Sequence, residues 1–219
     1  MDLKFEQFYQ KKGYKYIFGV DEAGRGSLVG PVTAAAVIIN SKIKKQIRQL
    51  AEKIQNQNFK EILKILRDSK KLSAKKREKI FKLMKQNPLI DFSWSMVGEK
   101  TIDKINVSEA TFLAMRRSIE KLKKKIKINP NLILVDGNQK ISKLKYPQKT
   151  IIKGDEKISS IALASVAAKV IRDKKMVALA KKYPQYKLEI HKGYPTKLHK
   201  SLIKKYGRCE IHRRSYKLK

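Results

Sequence analysis

The chain has 219 residues, of which 42% are hydrophobic, so it is long enough to bury a core and too apolar to be generally disordered. Its 53 basic and 19 acidic residues give a formal net charge of +34, which predicts attraction to a polyanion such as a nucleic acid. The single cysteine excludes an internal disulfide, and the absence of a signal-peptide pattern or a membrane-length apolar run predicts a soluble cytoplasmic protein.

The first half of the chain predicts two buried strands joined by a glycine-rich turn. Residues 16–20 (YIFGV) and 32–39 (VTAAAVII) are apolar runs of strand length, and the stretch DEAGRGSLVGP at 21–31 separates them. Hydrophobic periodicity then predicts, in chain order, a helix over 43–66, a helix that begins after the N-cap Ser73 and ends near Asn87, and a half-buried strand over 92–98.

The second half alternates strands with helices, which predicts a mixed-sheet α/β fold. The predicted elements are a helix over 108–127, a buried strand over 132–137, a strand over 149–155, a long helix over 158–183 and a short helix over 196–207. The long helix is small and apolar almost all round in its first half, so it should pack tightly against the sheet. No repeat or linker marks a domain boundary.

Three acidic residues share one context in these strands. Asp21 follows FGV, Asp136 follows LILV and Asp155 follows IIKG, so each is expected at the carboxyl end of a strand. Open α/β sheets place ligand sites at that edge, where carboxylates from neighbouring strands can converge. Glu22 adds a fourth carboxylate. Any one of these acids alone is as well explained as a turn former or a helix N-cap, and only their convergence favours chemistry.

Four converging carboxylates predict a site for hard divalent cations. They repel one another and raise one another's pKa unless cations lie between them, and their oxygen atoms suit Mg²⁺ or Mn²⁺ rather than zinc. With a polyanionic substrate, this set favours phosphodiester hydrolysis by two metal ions about 3.5–4 Å apart. None of the three histidines, His191, His199 and His212, has the setting of a dedicated general base.

The residues around these acids resemble the type 2 ribonucleases H, the ribonuclease HII family. The stretch GVDEAGRGSLVGPVTAAAVI at 19–38 resembles the family's opening signature. Six further blocks follow in the family's order and span nearly the whole chain: DSKKLSAKKRE at 68–78, INVSEATFLAMRRSI at 105–119, LILVDGN at 132–138, KGDEKISSIALASVAAKVIRD at 153–173, HKGYPTKLH at 191–199 and IHRRSY at 211–216.

The resemblance implies a ribonuclease H-like fold, with a central mixed five-stranded sheet flanked by helices. It implies a catalytic domain over 1–183 and a helical, basic C-terminal extension over 184–219 packed on the same domain. The implied activity is hydrolysis of the RNA strand of RNA–DNA hybrids and cutting at single ribonucleotides in duplex DNA, leaving 3′-hydroxyl and 5′-phosphate ends. Such an enzyme would serve ribonucleotide and primer removal; a monomer is expected, and a sliding-clamp partner stays open.

The resemblance also assigns residues. The ligands of two Mg²⁺ or Mn²⁺ ions would be Asp21, Glu22, Asp136 and Asp155, whereas Asp173 is interpreted as structural because it lies about five helical turns beyond Asp155.

The same resemblance implies substrate contacts. The backbone of Gly24-Arg25-Gly26 would recognise the ribose 2′-hydroxyl, the group that distinguishes RNA from DNA locally. Tyr194 would pack on the sugar of the adjoining deoxynucleotide, although without the resemblance it reads as a buried tyrosine beside a turn. Ser69 and Lys70 are candidates for phosphate contacts, with solvated surface as the alternative.

Three positions depart from the family pattern. Ser27 stands where the family commonly has proline, Pro195 where it has glycine, and Ser108 where an apolar residue is usual. None of these departures removes a carboxylate or the Gly-Arg-Gly tripeptide. Pro195 could stiffen the loop behind Tyr194 and alter the substrate preference.

Two alternatives are weighed. Ribonuclease HIII shares the fold and the four acids but usually carries an N-terminal substrate-binding domain, and about twenty residues before Asp21 leave no room for one. A non-catalytic nucleic-acid-binding protein would explain the charge alone, as would a general preference for surface lysine, since 43 of the 53 basic residues are lysines. The non-catalytic alternative gives no reason for four acids clustered at strand ends, where they would repel phosphate.

Overall fold

The computed structural model of the chain describes residues 3–39, 48–67 and 72–218. Within these residues, five strands form one sheet: β1 (Ile17–Ala23), β2 (Val32–Ile39), β3 (Ile90–Val97), β4 (Leu132–Asp136) and β5 (Gln148–Ile151). Their order across the sheet is β3-β2-β1-β4-β5. The first three strands pair antiparallel, whereas β4 and β5 extend the sheet from β1 in parallel. The predicted mixed five-stranded sheet is confirmed.

Helices cover both faces of this sheet. They are α1 (Lys4–Lys11), α2 (Arg48–Arg67), α3 (Ala74–Gln86), α4 (Glu99–Ile126), α5 (Gly154–Lys157), α6 (Ser159–Lys182), α7 (Leu188–His191) and α8 (Lys197–Tyr206). The predicted N-cap is confirmed, because the Ser73 hydroxyl accepts the backbone N–H of Lys76 at 3.3 Å. Thr196 caps α8 in the same way through the N–H of His199, at 3.2 Å.

The core consists of two apolar layers, one on each side of the sheet. Helices α2, α3 and α6 pack on one face, and α4 packs on the other. The predicted close packing of α6 is confirmed, because a Cβ on Gly19 of β1 would lie only 2.6 Å from the backbone nitrogen of Ile161. The helices in the described residues include none that is both long and apolar enough to cross a membrane.

Helix α4 differs from its predicted boundaries. It begins at Glu99 rather than at 108, and the backbone leaves helical geometry at Asn106, with φ 62° and ψ 167°. There the side-chain oxygen of Asn106 accepts the backbone N–H groups of Ser108 and Glu109, at 2.9 and 3.1 Å. The predicted start therefore coincides with this internal cap, and the preceding helical segment was missed.

The C-terminal residues pack against the connection between β1 and β2, hereafter the 24–31 loop. The backbone N–H of Leu28 donates to Gly193 O at 2.8 Å, and that of Gly30 donates to Ile211 O at 2.9 Å. The N–H of Arg213 donates in turn to Leu28 O, at 2.9 Å. The loop that follows the acidic pair is therefore held by two separate C-terminal segments.

Candidate active site

Strand β1 brings Asp21 and Glu22 beside Asp136. In the parallel pairing of β1 with β4, Val20 lies opposite Val135, so the next residues of the two strands, Asp21 and Asp136, are neighbours. Asp136 is the last residue of β4, as predicted. The acidic pair differs slightly from its prediction, because it lies within β1, which continues past it in antiparallel pairing with β2.

Asp155 reaches the same edge from a short helix rather than from a strand. Strand β5 ends at Ile151 and Asp155 lies in α5, so the strand predicted over 149–155 is too long. The backbone N–H of Gly154 donates to Asp136 Oδ1 at 2.7 Å, and that of Asp155 approaches the same oxygen at 3.4 Å. The Asp136 carboxylate therefore holds the start of α5 against the end of β4.

Among these four acids, hereafter the acidic edge (Asp21, Glu22, Asp136 and Asp155), three have raised pKa values. Burial raises the pKa of Asp21 well above its usual value, and the charges of Glu22 and Asp136 raise it further. Burial also raises the pKa of Glu22, with Arg25 opposing and Asp136 adding to the effect. The pKa of Asp155 is raised by burial and then by Asp136. The charge of Asp136 therefore raises the pKa of each of the other three predicted acids.

The chemistry of the acidic edge fits a hard divalent cation. It offers only carboxylate oxygens, and the pKa values are raised first by burial and then by neighbouring carboxylate charge, both of which a bound cation would offset. Across residues 3–39, 48–67 and 72–218, no three histidine, cysteine or acidic side chains are gathered closely enough to hold a metal ion. Instead, Asp136 Oδ1 accepts the Gly154 N–H, and Glu22 Oε1 lies 3.5 Å from Arg25 Nη1. Metal binding here requires these side chains to rearrange.

The Gly-Arg-Gly tripeptide begins the 24–31 loop, directly after the acidic pair. Gly24 is buried with φ +98°, and a Cβ there would overlap the Arg172 side chain. Nothing lies within 4 Å of where a Cβ on Gly26 would stand, so its backbone is open to approach from outside. Arg25 is 44% exposed and lies near Glu22, and its Nη2 donates to the Ser108 hydroxyl at 3.3 Å. The tripeptide is therefore buried at Gly24, against Arg172, and exposed at Gly26.

Tyr194 lies half-buried on the loop between α7 and α8. Two cations lie over its ring, Lys169 Nζ at 5.1 Å from the centroid and the Arg172 guanidinium carbon at 5.2 Å. Its carbonyl accepts the backbone N–H of Thr196 at 2.8 Å and lies 3.0 Å from His199 Nδ1. The loop backbone is therefore fixed on both sides of the ring.

Sequence reasoning missed two arginines below these loops. Arg172 and Arg213 are 0% and 1% exposed, although arginine is rarely fully buried without a carboxylate partner. The signal for Arg172 was an arginine that directly follows the largely apolar stretch ASVAAKVI of α6. Ser69 and Lys70, the predicted phosphate contacts, lie outside the described residues.

Three histidines form a buried cluster under the Tyr194 loop. The rings of His191 and His199 stack with centroids 4.1 Å apart, and His212 lies 5.7 Å from His199. Burial, followed by a neighbouring histidine, lowers the pKa of both His199 and His212 to about 4. The cluster therefore packs the C-terminal segments beneath the Tyr194 loop.

Comparison with known proteins points to one family. A family model described as "Ribonuclease HII" matches residues 18–219. The ribonuclease HII of Caldicellulosiruptor bescii is 48% identical over 215 residues, which cover 98% of this chain and 92% of the relative. The ribonuclease HII of Endomicrobium trichonymphae is 43% identical over 214 residues, with 98% and 91% covered.

A solved structure agrees with the sequence matches. The crystal structure of ribonuclease H2 from Pyrococcus horikoshii OT3 superposes with a TM-score of 0.68 at 26% identity. The match covers 92% of this chain and 94% of the other. Sequence and fold therefore agree over almost the full length of both partners.

Proposed function

Since the chain belongs to the ribonuclease HII family, whose members are endoribonucleases that act on RNA–DNA hybrids, we propose that it also cuts at single ribonucleotides embedded in duplex DNA. One observation carries this proposal. Two members of the acidic edge, Asp21 and Glu22, are separated from the Gly24-Arg25-Gly26 tripeptide by a single residue, and the backbone of this tripeptide is exposed at Arg25 and Gly26. A sugar that is read by the tripeptide therefore lies beside the carboxylates, and one ribonucleotide suffices to direct the cut.

The acidic edge holds the divalent cations in this proposal. Asp21, Glu22, Asp136 and Asp155 would hold two Mg²⁺ or Mn²⁺ ions, which would supply charge stabilisation for an in-line phosphodiester hydrolysis with 3′-hydroxyl and 5′-phosphate products. Asp136 is fixed through Gly154 N–H, so it aligns β4 with α5 and keeps Asp155 at the edge. Arg25 neutralises part of the charge of Glu22 at 3.5 Å.

The two loops read the substrate. The open backbone at Gly26 and the partly exposed Arg25 face outwards, which suits a close approach to a ribose 2′-hydroxyl and to a phosphate. Tyr194 presents an aromatic surface for a neighbouring sugar, on a loop that touches the 24–31 loop through Leu28 N–H and Gly193 O. Reading a ribose and the sugar beside it is the arrangement that a ribonucleotide–DNA junction requires, and it would serve ribonucleotide and primer removal.

A direct assay tests the proposal. End-labelled duplexes that contain either one ribonucleotide or a long RNA strand are incubated with the protein and Mg²⁺ or Mn²⁺, and the cut positions are mapped. We expect cutting of both substrates, and Asp136→Asn should abolish it while hybrid binding persists, since the amide keeps an oxygen for Gly154 N–H. Near wild-type turnover by Asp136→Asn would contradict the assignment of the acidic edge.

The substrate contacts are tested with the same duplexes. Arg25→Ala and Tyr194→Ala should each reduce cutting of the single-ribonucleotide duplex more than cutting of the long hybrid. Arg117→Ala and Tyr206→Ala are matched controls, because Arg117 is exposed on α4 and Tyr206 is 48% exposed at the end of α8. Equal losses on both substrates would argue against the proposed contacts.

A further inference from the structure

Arg172 is a buried cation whose hydrogen bonds go to neutral oxygens of two loops. Its Nε donates to Pro31 O at 3.0 Å, its Nη1 donates to Lys192 O at 3.0 Å, and its Nη2 donates to the Ser27 hydroxyl at 2.6 Å. Burial lowers the pKa of Arg172 to about 10. A buried charge is costly unless it is well hydrogen-bonded, so this placement indicates a specific task.

The acceptors of Arg172 belong to the two loops proposed to read the substrate. Ser27 and Pro31 lie on the 24–31 loop, whereas Lys192 is two residues before Tyr194. The Ser27 hydroxyl itself donates to Lys192 O at 3.3 Å, which closes a triangle of hydrogen bonds among the three residues. The guanidinium therefore bridges the loops, and Ser27 completes the bridge.

Arg172 also contacts the reading elements themselves. Its guanidinium carbon lies 5.2 Å from the centroid of the Tyr194 ring, and its side chain fills the space that a Cβ on Gly24 would need. Gly193 has φ +83°, and a Cβ there would stand 2.8 Å from the Ser27 hydroxyl. The two loops are therefore packed too closely at Gly193 and Ser27 to accept a further side-chain atom, and Arg172 lies beneath this contact.

We propose that Arg172, with Ser27 as its hydroxyl partner, is a positioning residue that fixes the distance between Gly24-Arg25-Gly26 and Tyr194, and that this distance sets the preference for a ribose followed by a deoxyribose. The proposal rests on the proposed function of the two loops as reading elements. It gives a role to Ser27, because a hydroxyl at this position both accepts from Arg172 and donates to Lys192 O, which proline cannot do.

Arg213 provides a matched comparison. It is equally buried, and its guanidinium donates to Gly24 O and Arg25 O at 2.8 Å and to Gly30 O at 2.9 and 3.0 Å. These acceptors lie on the 24–31 loop alone. Arg213 therefore holds one loop, whereas Arg172 connects both, and the two arginines separate the effect of loop stability from the effect of loop spacing.

The experiment is a set of double-mutant cycles on kcat/KM, measured with the single-ribonucleotide duplex and the long hybrid. Arg172→Lys keeps the charge but loses the planar fork of donors. We expect it to lower the ratio of kcat/KM on the single-ribonucleotide duplex to kcat/KM on the long hybrid by about tenfold to about 100-fold, because a small misplacement of a reacting group costs this much. The loss should appear in kcat on the single-ribonucleotide duplex. The KM for the hybrid should stay near that of wild type.

The cycles separate coupling from general damage. Arg172→Lys and Tyr194→Ala should be strongly non-additive, whereas Arg213→Lys and Tyr194→Ala should be much closer to additive, since Arg172 donates to both loops and Arg213 does not donate to the Tyr194 loop. Should Arg172→Lys fail to fold, Ser27→Ala carries the test, and we expect a smaller loss in the same ratio. Ser118→Ala is its control, because Ser118 is also 0% exposed and its hydroxyl donates to Met115 O within α4.

The outcomes distinguish this inference from the proposed function. If Arg25→Ala and Tyr194→Ala change the substrate ratio while Arg172→Lys and Ser27→Ala leave it unchanged, the positioning role is wrong and the reading role of the loops stands. If Tyr194→Ala and Arg25→Ala leave the ratio unchanged, the proposed function of the loops is wrong. Additivity of Arg172→Lys with Tyr194→Ala would also overturn the positioning role.

Discussion

Two regions of the molecule bury charged side chains next to the 24–31 loop, and these side chains are stabilised in opposite ways. The acidic edge gathers like charges whose repulsion and burial raise the pKa values of Asp21, Glu22 and Asp155. The second region, hereafter the arginine clamp (Arg172 and Arg213), surrounds each guanidinium with carbonyl and hydroxyl oxygens.

This contrast separates two tasks in one site. An uncompensated cluster of carboxylates binds cations because their binding relieves the repulsion, and it has little rigidity of its own. A fully hydrogen-bonded cation fixes the backbone around it and leaves nothing further to bind. The acidic edge, proposed for the chemistry, therefore retains repulsion between its carboxylates. The arginine clamp, proposed for positioning the substrate-reading loops, is hydrogen-bonded and rigid.

The largest expected effect removes one charge from the acidic edge. We predict that Asp21→Asn lowers Mg²⁺-dependent hybrid cleavage by more than about 100-fold, since even residues that only support metal ligands contribute about 10-fold to 100-fold. The fold should persist, because the amide oxygen can still accept the Glu22 N–H, which donates to Asp21 Oδ1 at 2.7 Å. Asp91→Asn is the matched control and should keep its activity, because Asp91 of β3 forms a partly exposed ion pair with Lys125 of α4.

The same variant has a stability signature. A carboxyl whose pKa is raised in the folded state destabilises the fold at pH values above its ordinary pKa, and the penalty disappears as pH falls below that value. In buffer with EDTA, Asp21→Asn should therefore melt at a higher temperature than wild type at pH 8, and the difference should shrink towards pH 4. A lower melting temperature at pH 8 would show that the acidic edge is not strained by its charges.

The acidic edge was largely predictable from sequence, because residues that end parallel strands meet at one edge of a sheet. Asp136 satisfies that rule directly. Asp155 does not, because β5 ends earlier and the chain returns through α5, whose start depends on a hydrogen bond to Asp136. A contact with a residue 19 positions away, given by tertiary structure, cannot be derived from the local pattern IIKGD.

The arginine clamp was not predictable in this way. Arg172 donates to Pro31 O, 141 residues away in sequence, and Arg213 donates to Gly24 O, 189 residues away. Neither acceptor has a sequence signature, since every residue carries a carbonyl. Ser27 departs from the family pattern, and the sequence gives no reason for a serine there. Its hydrogen-bond partner Arg172 is supplied by α6, which lies beneath the 24–31 loop. The sequence pattern therefore predicted the acidic edge better than the arginine clamp.

A further prediction uses acid to compare the acidic edge with the histidine cluster that packs under the Tyr194 loop. His199 lies under the Tyr194 loop and His212 beside it, and burial lowers the pKa of each to about 4, with Arg208 and Arg214 adding to the effect at His212. Because the unfolded chain binds protons near pH 6.5 and the folded chain does not, stability falls as pH drops from about 6.5 to about 4, by up to about 1.4 kcal/mol per pH unit for each histidine.

Urea unfolding at pH 7.5 and 5.5 in EDTA measures this effect. Wild type should lose stability on acidification, and His199→Phe, which keeps a ring for stacking on His191, should lose less, whatever its stability at pH 7.5. Asp21→Asn should lose more than wild type, because burial raises the pKa of Asp21 and its protonation in wild type relieves a destabilisation that the variant no longer has. Identical pH dependence in all three proteins would mean that the acidic edge and the histidine cluster do not respond oppositely to protons.

The smallest expected effect lies at Arg25, where the two regions meet. Its side chain lies near Glu22 and donates to the Ser108 hydroxyl at 3.3 Å, while its carbonyl accepts from Arg213. The Ser108 contact is exposed and long, and a bond of this kind contributes about 0.5–1 kcal/mol. Ser108→Ala should therefore lower kcat/KM on the single-ribonucleotide duplex by less than about fivefold.

Ser201→Ala is the control for this last change, because Ser201 is exposed on α8 and its hydroxyl donates only to Leu198 O, at 2.8 Å. A small loss with Ser108→Ala and none with Ser201→Ala would show that the Arg25 backbone, held by Arg213, determines the position of the tripeptide while its side chain adjusts. A loss as large as that of Arg25→Ala would instead make the exposed side-chain contact as important as the arginine clamp, and rigidity could then no longer be assigned to the buried half of the site.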